Sequence, residues 1–357
     1  MSPKPTLQTV ADAVGVSRST VSNAYSRPDQ LSPELRRRIH DAARQLGYPG
    51  PDPTARSLRR GRVGSIGVLF TSALSYAFTD PYAVQFLRGV AETAERYASN
   101  LLLVPISEAD EEAAVRAVHN ASVDGFCVYC VPAWHGALAA TRSRGLPVVA
   151  AERPAEVTPD AMYVGIDESA AARAVGEHVA RLGHRRIAVV SDFLVAERRT
   201  GPVALDGPTA IRYDVTRERL RGFLAGLSGA GVGWSDLLLV NASANSRTEG
   251  AYAAAYALDR SDPPTAVLAV TDLLALGVLD AVTARGLRPG RDVSVTGFDD
   301  IPEAAAAALT TVRQPAVEKG RIAGGLLLDP PDDGSARQVL LPTELVRRAS
   351  TGPVEGN

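Results

Sequence analysis

The chain has 357 residues, 45% of them hydrophobic, and a net charge of −2. That length exceeds one ordinary domain and is enough for two or three sizeable cores. No apolar run reaches transmembrane length and the N-terminus is polar, without the hydrophobic stretch of a signal peptide, so the expectation is a cytoplasmic protein with no membrane partner.

The net charge hides an asymmetry. Residues 1–62 carry eleven Lys+Arg against five Asp+Glu, a net +6, while the remainder carries 27 against 35, a net −8. A basic head on an acidic body suits a polyanion, because phosphate contacts supply most non-specific DNA affinity. The run Arg36-Arg37-Arg38 by itself is merely a solvated face.

Thr6 opens a first helix as its cap, with Leu7, Val10, Ala11 and Val14 on one apolar stripe and Gly15 as its stop. Ser17 caps a second helix, with Val21, Ala24 and Tyr25 inward. Ser19, Ser22, Asn23 and Ser26 share another side of it, and Arg18 stands at its tip. Short or forked polar groups on one side are what reading a major groove requires. A third helix runs from the cap Ser32 and Pro33, with Leu35, Ile39, Ala42 and Leu46 inward, to Gly47. Two helices this small bury almost nothing alone, and their usual use is to hold one helix in a DNA groove.

Residues 49–62 read as a proline-rich linker in which Pro53-Thr54-Ala55-Arg56-Ser57-Leu58 makes one more helical turn. The pattern then changes. Strands are expected at Ser65–Phe70, Leu101–Pro105, Gly125–Val131 and Val148–Ala151, with helices at 81–99, 109–119 and 135–144 between them. It restarts with helices at 168–182, 216–230, 247–259 and 272–285 and strands at Ile187–Ser191, Leu237–Val240, Ala266–Val270 and Ser294–Phe298. Alternation of this kind makes two doubly wound parallel sheets in tandem. Their ligands bind at the carboxyl ends of strands, so the cleft between the two is the natural pocket.

Cys127 and Cys130 have C-x-x-C spacing but sit in Val123–Val131, which reads as a buried strand with the two thiols on opposite faces. A second ligand pair for zinc is missing, so the expectation is two buried reduced thiols. Neither Lys4 nor Lys319 has the glycine context of a phosphate loop. The five histidines lack metal spacing, and no nucleophile elbow or acid–base pair is apparent. No catalytic residue, metal or cofactor is therefore expected.

A DNA head, a hinge and a two-lobed body together resemble the lactose-repressor (LacI/GalR) family of transcription factors. The resemblance runs along essentially the whole chain. It rests on TLQTVADAVGVSRSTVSNAYSRPDQLS in the head, ARSL in the hinge, LGHRRIAVV and RLRGF in the second lobe, then TDLLALGVLDAVTARGLRPGRDVSVTGFDD and LTTVRQP. It implies a helix-turn-helix head over 1–50, a hinge over 51–62, and a periplasmic-binding-protein-like body. The first lobe would span 63–163 and return at about 314–335, and the second would span 164–312 and return at about 336–350.

For the head, the resemblance implies base contacts from Arg18, Ser19 and Asn23, and phosphate contacts from Ser17, Thr20 and Ser32. Many relatives have arginine where this chain has Asn23. In the hinge, Leu58 matches a minor-groove wedge with Ala55 packed beside it. For the body, it implies a small-molecule effector, a sugar or nucleoside-like polyol, held by Arg219 and Asp299. Glu152, Asn245, Thr271 and Gln314 would line the cleft, and Phe78 and Tyr82 would cover it. Plainer readings stand beside these: an interlobe salt bridge for Arg219 and a helix cap for Asp299. The 27 residues between Ser191 and Arg219 are more than relatives usually need, and begin at a strand end beside the cleft. They are expected to cover the effector or to reach a partner.

The leading expectation is a homodimeric, effector-controlled repressor of double-stranded operator DNA. The C-terminal residues show no leucine heptad of the kind tetrameric relatives use. A sugar-binding protein without a DNA role and an α/β enzyme are the alternatives.

Overall fold

The computed structural model describes residues 4–51, 61–70, 74–107, 110–154 and 157–354. Its chain forms two compact units, Met1–Gly64 and Ser65–Asn357.

The first unit is a three-helix head. Helix α1 (Leu7–Val14) starts at a reciprocal cap in which Thr9 N donates to Thr6 Oγ1 at 3.3 Å and Thr6 N donates to Thr9 Oγ1 at 3.2 Å. It ends at Gly15, whose φ of 75° is left-handed. Helix α2 (Arg18–Ser26) is capped by Ser17 and α3 (Pro33–Gln45) by Ser32. Leu7, Val10, Ala11, Val21, Ala24, Ile39 and Ala43 form the small core. Tyr25 closes its edge, with its ring 4.9 Å from that of His40. Leu46, expected inward, is 38% exposed. The helix ends at Gln45, so Ala43 takes the inward place and the chain turns at Gly47 before Tyr48 packs back. The hinge positions Ala55 and Leu58 lie outside the described residues.

The body starts with β1 (Ser65–Phe70), α4 (Pro81–Arg96), β2 (Asn100–Pro105), α5 (Glu111–Asn120) and β3 (Gly125–Tyr129). The first lobe continues with α6 (Gly136–Ser143), β4 (Val148–Ala150) and β5 (Met162–Gly165). The second opens with α7 (Glu168–Arg181), β6 (Ile187–Asp192), β7 (Gly201–Pro202), α8 (Asp214–Ser228) and β8 (Leu237–Ala242). There follow α9 (Arg247–Leu258), β9 (Ala266–Ala269), α10 (Asp272–Ala284), β10 (Ser294–Thr296) and α11 (Pro302–Ala306). The chain returns through β11 (Thr311–Arg313), α12 (Ala316–Leu328), β12 (Gln338–Leu340) and β13 (Glu344–Val346).

Among the described residues the first sheet runs β12-β5-β4-β3-β1-β2, with every pair parallel. The second runs β10-β9-β6-β8-β7, parallel except for the edge strand β7. Strands β1, β3 and β9 are buried along their whole length, as strands covered on both faces must be. Strand β11 pairs antiparallel with β13, in a small third sheet.

The two-sheet architecture matches the expectation, with differences at its edges. Strands β5 and β12 extend the first sheet, and both are too short to show a period. Because β12 pairs with β5, residues 338–340 belong to the first lobe, not to the second lobe's return as expected. Strand β3 stops at Tyr129, not Val131, since Cys130 has a φ of 52°. That turn lifts Cys130 out of the strand, so Cys127 is buried while Cys130 is only partly so.

Candidate effector site

In each parallel sheet, strand order reverses once. Successive strands step one way from β1 to β2 and the other way from β3 onward; in the second sheet the reversal falls between β6 and β9. Helices leave opposite faces at such a point, and a crevice opens at the carboxyl ends. Here both crevices share one cavity of about 150 Å³. Its lining includes Phe70 and Cys130 from the end of the first sheet's central strands, and Asp192 and Val270 from the second's.

The second lobe supplies most of the polar wall. Arg219 lies on the buried side of α8 and is 7% exposed. Its Nε donates to Glu168 Oε2 at 2.7 Å and its Nη1 donates to the Val270 carbonyl. The guanidinium lies 3.8 Å from the Phe298 ring centroid, so both its face and its edge are held. Each of these partners is in the second lobe, so Arg219 is not an interlobe salt bridge.

Asp299 lines the cavity from the turn after β10 with a φ of 122°, and Asp300 follows at 55°. Non-glycine residues hold such angles only where their surroundings impose them. Here Asp299 N donates to the Val312 carbonyl at 2.8 Å, while Asp300 receives Arg313 Nε at 2.7 Å and Arg348 Nη2 at 2.6 Å. The Asp299 carboxylate accepts from Gln314 Nε2 at 2.7 Å, and the cap position of α11 is Ile301, so Asp299 caps no helix. Burial pushes its carboxyl well above the usual range.

A line of hydrogen bonds crosses the cleft. Thr271, the cap of α10, donates to Asn245 Oδ1 at 2.6 Å. Asn245 Nδ2 donates to the Tyr76 hydroxyl at 2.8 Å, which in turn donates to Asp80 Oδ2 at 2.8 Å. Tyr82 Oη donates to Gln314 Oε1 at 3.0 Å. Arg219, Asp299, Asn245, Thr271 and Tyr82 thus share one cavity, and Gln314 stands directly behind it.

Besides Gln314, which was expected in the wall and stands behind it, Glu152 and Phe78 do not line it. Glu152 sits behind Cys130, accepting from Cys130 N at 3.1 Å and Cys130 Sγ at 3.3 Å, and so fixes the turn at the strand end. Phe78 is 65% exposed, because the short turn Leu74–Phe78 buries Ala77 and aims Tyr76 inward instead.

Sequence reasoning missed Asp80, Asp192, Tyr129 and Tyr213, all of which line the cavity. Asp192 was findable as the last residue of a buried strand, where a doubly wound sheet places its ligand. The start of the long crossing after Ser191 folds over the cavity: Phe193 and Val195–Arg198 line it, and Asn241 ties Leu194 and Arg199 within it. Leu194 N donates to Asn241 Oδ1 at 3.0 Å and Asn241 Nδ2 donates to the Arg199 carbonyl at 2.7 Å.

Burial raises the Asp192 carboxyl from its ordinary value near 3.8 to about 6. The folded state therefore disfavours its ionised form, and this cost grows as pH rises through that interval. Asp192→Asn is expected to stabilise the protein by ~1–3 kcal/mol at pH 7. The gain should vanish below about pH 4, where both states are protonated. Urea unfolding at the two pH values measures the difference, and an equal effect at both would contradict the burial argument.

The family model for bacterial regulatory proteins of the lacI family matches residues 6–50, and that for a periplasmic binding protein-like domain matches residues 177–351. An HTH-type transcriptional regulator of Mycolicibacterium smegmatis is 41% identical over 356 residues, covering 98% of this chain and 97% of its own. The chain belongs to the lacI family. It is a DNA-binding transcriptional regulator with an effector-binding body. Among solved lacI-family structures, the complex of the regulator CelR with cellobiose is 27% identical, with a TM-score of 0.67 over 97% of this chain and 99% of the other. The lac repressor dimer bound to operator and the anti-inducer ONPF is 25% identical, with a TM-score of 0.74 over 98% of this chain and 100% of the other. Among the described residues, no helix of this lacI-family member is long and apolar enough to cross a membrane.

Proposed function

We propose that the protein is a homodimeric repressor whose operator affinity is set by a hydroxyl-rich small molecule, a sugar or nucleoside-like polyol, bound in the interlobe cavity. The observation that carries this reading is the junction of the two sheets' carboxyl ends at one cavity with Arg219 and Asp299 in its wall. A fixed fork of donors next to carboxylate acceptors suits vicinal hydroxyls, which donate and accept at once. The faces of Phe70, Tyr129 and Tyr213 suit the apolar side of such a ring. Asp80 and Asp192 join the acceptors; Asn245, Thr271 and Tyr82 supply further polar contacts. Glu152 acts by holding the Cys130 turn. The effector works by binding one lobe arrangement better than another, and the bond between Asn245 and Tyr76 belongs to the closed one.

In the head, α2 enters the major groove. Arg18, Ser19 and Asn23 read bases, while Ser17, Thr20 and Ser32 contact phosphates and set the register. Ala55 and Leu58 carry the minor-groove contact of the paired hinges.

The test is fluorescence anisotropy of the full chain on operator fragments selected from genomic DNA, with and without a panel of unphosphorylated sugars and nucleosides. One panel member should change operator affinity at least tenfold, about 1.4 kcal/mol. A panel without effect rules out the polyol. Arg18→Ala should relax base preference at one position of each half-site, by roughly 1–3 kcal/mol. Equal weakening on every sequence would make Arg18 a phosphate contact instead.

A further inference from the structure

Lys319 is one of two lysines in a chain with 38 Lys+Arg. Helix α12 carries it inward, 3% exposed, on the same buried side as Ala316, Gly320, Ala323, Gly324 and Leu327. A buried ammonium is costly unless paired and hydrogen-bonded, so its place in an otherwise small and apolar stripe calls for a reason. Its Nζ donates to the Tyr82 hydroxyl at 3.4 Å. Burial works against its ammonium form, while Tyr82, Glu152 of the first lobe and Glu168 of the second favour it.

The Tyr82 contact begins a relay. Tyr82 Oη donates to Gln314 Oε1 at 3.0 Å, and Gln314 Nε2 donates to Asp299 Oδ1 at 2.7 Å. Every donor points the same way, from a cation in the first lobe to a carboxylate at the second lobe's edge of the cavity. Hydrogen bonds in such a row polarise one another, and this row runs from an ammonium donor to an accepting carboxyl oxygen. Tyr82 and Asp299 line the cavity, while Lys319 and Gln314 stand behind it.

We infer that Lys319 is a positioning residue of the effector site, which acts through Tyr82 and Gln314 to hold Asp299 oriented as an acceptor for effector hydroxyls. The inference rests on the polyol reading above. It also ties that acceptor to the first lobe, so the orientation of Asp299 depends on the lobes being closed. The competing role is that of a core counter-ion for Glu152 and Glu168, which would not need the Tyr82 hydroxyl.

The experiment is calorimetric titration of the full chain with unphosphorylated mono- and disaccharides, ribose and cellobiose among them. The proteins are wild type, Lys319→Met, Lys319→Arg, Tyr82→Phe and the double variant Lys319→Met/Tyr82→Phe. For a sugar that binds wild type, Lys319→Met and Tyr82→Phe should each weaken binding about tenfold or more. The double variant should be within about twofold of the weaker single, because both cut one relay. Lys319→Arg should recover part of the affinity. If Lys319→Met does not fold, Lys319→Arg carries the test: it should bind more tightly than Tyr82→Phe, and Lys319→Arg/Tyr82→Phe should be within about twofold of Tyr82→Phe alone. Singles whose effects multiply in the double, or a Lys319→Met protein that binds like wild type, overturn the relay. A wild type that binds no sugar and, titrated alongside, no nucleoside overturns the polyol reading itself, which separates the two failures.

Discussion

Arg219→Ala is expected to abolish the effector response and to lower folding stability by about 3–5 kcal/mol, the usual penalty for breaking a buried ion pair. The Arg219 and Glu168 side chains are 9% and 11% exposed, so removal of one leaves the other charge with little water to take over. The loss of the stack on Phe298 and of the bond to the Val270 carbonyl adds to this. Arg219→Lys keeps the charge but loses the fork, since an ammonium cannot reach Glu168 and Val270 in one plane. It should fold better than the alanine variant and still respond poorly to the effector. Urea unfolding gives the stability, and operator anisotropy with the effector gives the response. If Arg219→Ala lost less than about 1 kcal/mol, the pair would be no more than a surface ion pair in its energetics.

Gly320→Val should destabilise the body by about 3 kcal/mol or more, through overpacking where α4 meets α12. A Cβ on Gly320 would lie 2.1 Å from the Phe86 carbonyl oxygen, and one on Gly89 would lie 1.9 Å from that of Val317. The obstacle is backbone on both sides, so the two helices must separate to make room. Separation would also shift Lys319, the neighbour of Gly320 on α12. Gly325→Ala, on the same helix with nothing within 4 Å of the added carbon, is the control. It should be stabilising by ~0.5–1 kcal/mol, because alanine suits a helix interior better than glycine. Similar losses in both variants would show that helix propensity, and not the close approach, governs α12.

The head was legible almost residue by residue, because its signals are local. Caps at Thr6, Ser17 and Ser32, the left-handed Gly15 and the apolar stripes act within a few residues of themselves. The same holds for the alternation of long strands and helices, and thus for two parallel sheets with a cleft between their carboxyl ends. Arg219 and Asp299 came from the family resemblance, and the fold brings them to one cavity.

Tertiary structure alone decided which short strands join which sheet. Strand β12 has three residues and no period of its own, and its partner β5 is more than 170 residues away. It likewise decided that Tyr76 rather than Phe78 faces the cleft, since one short turn presents only one of two nearby aromatics inward. The Lys319–Tyr82–Gln314–Asp299 relay draws on α12, α4, the segment after β11 and the turn after β10. Hydrogen bonds reach about 3 Å in space whatever the separation along the chain, so sequence spacing carries no trace of them. What the sequence by itself determined was therefore the caps, stops and alternations set by neighbours within a turn or a strand. Partners, orientations and the polar wiring of the cavity were settled only when helices from two lobes packed together.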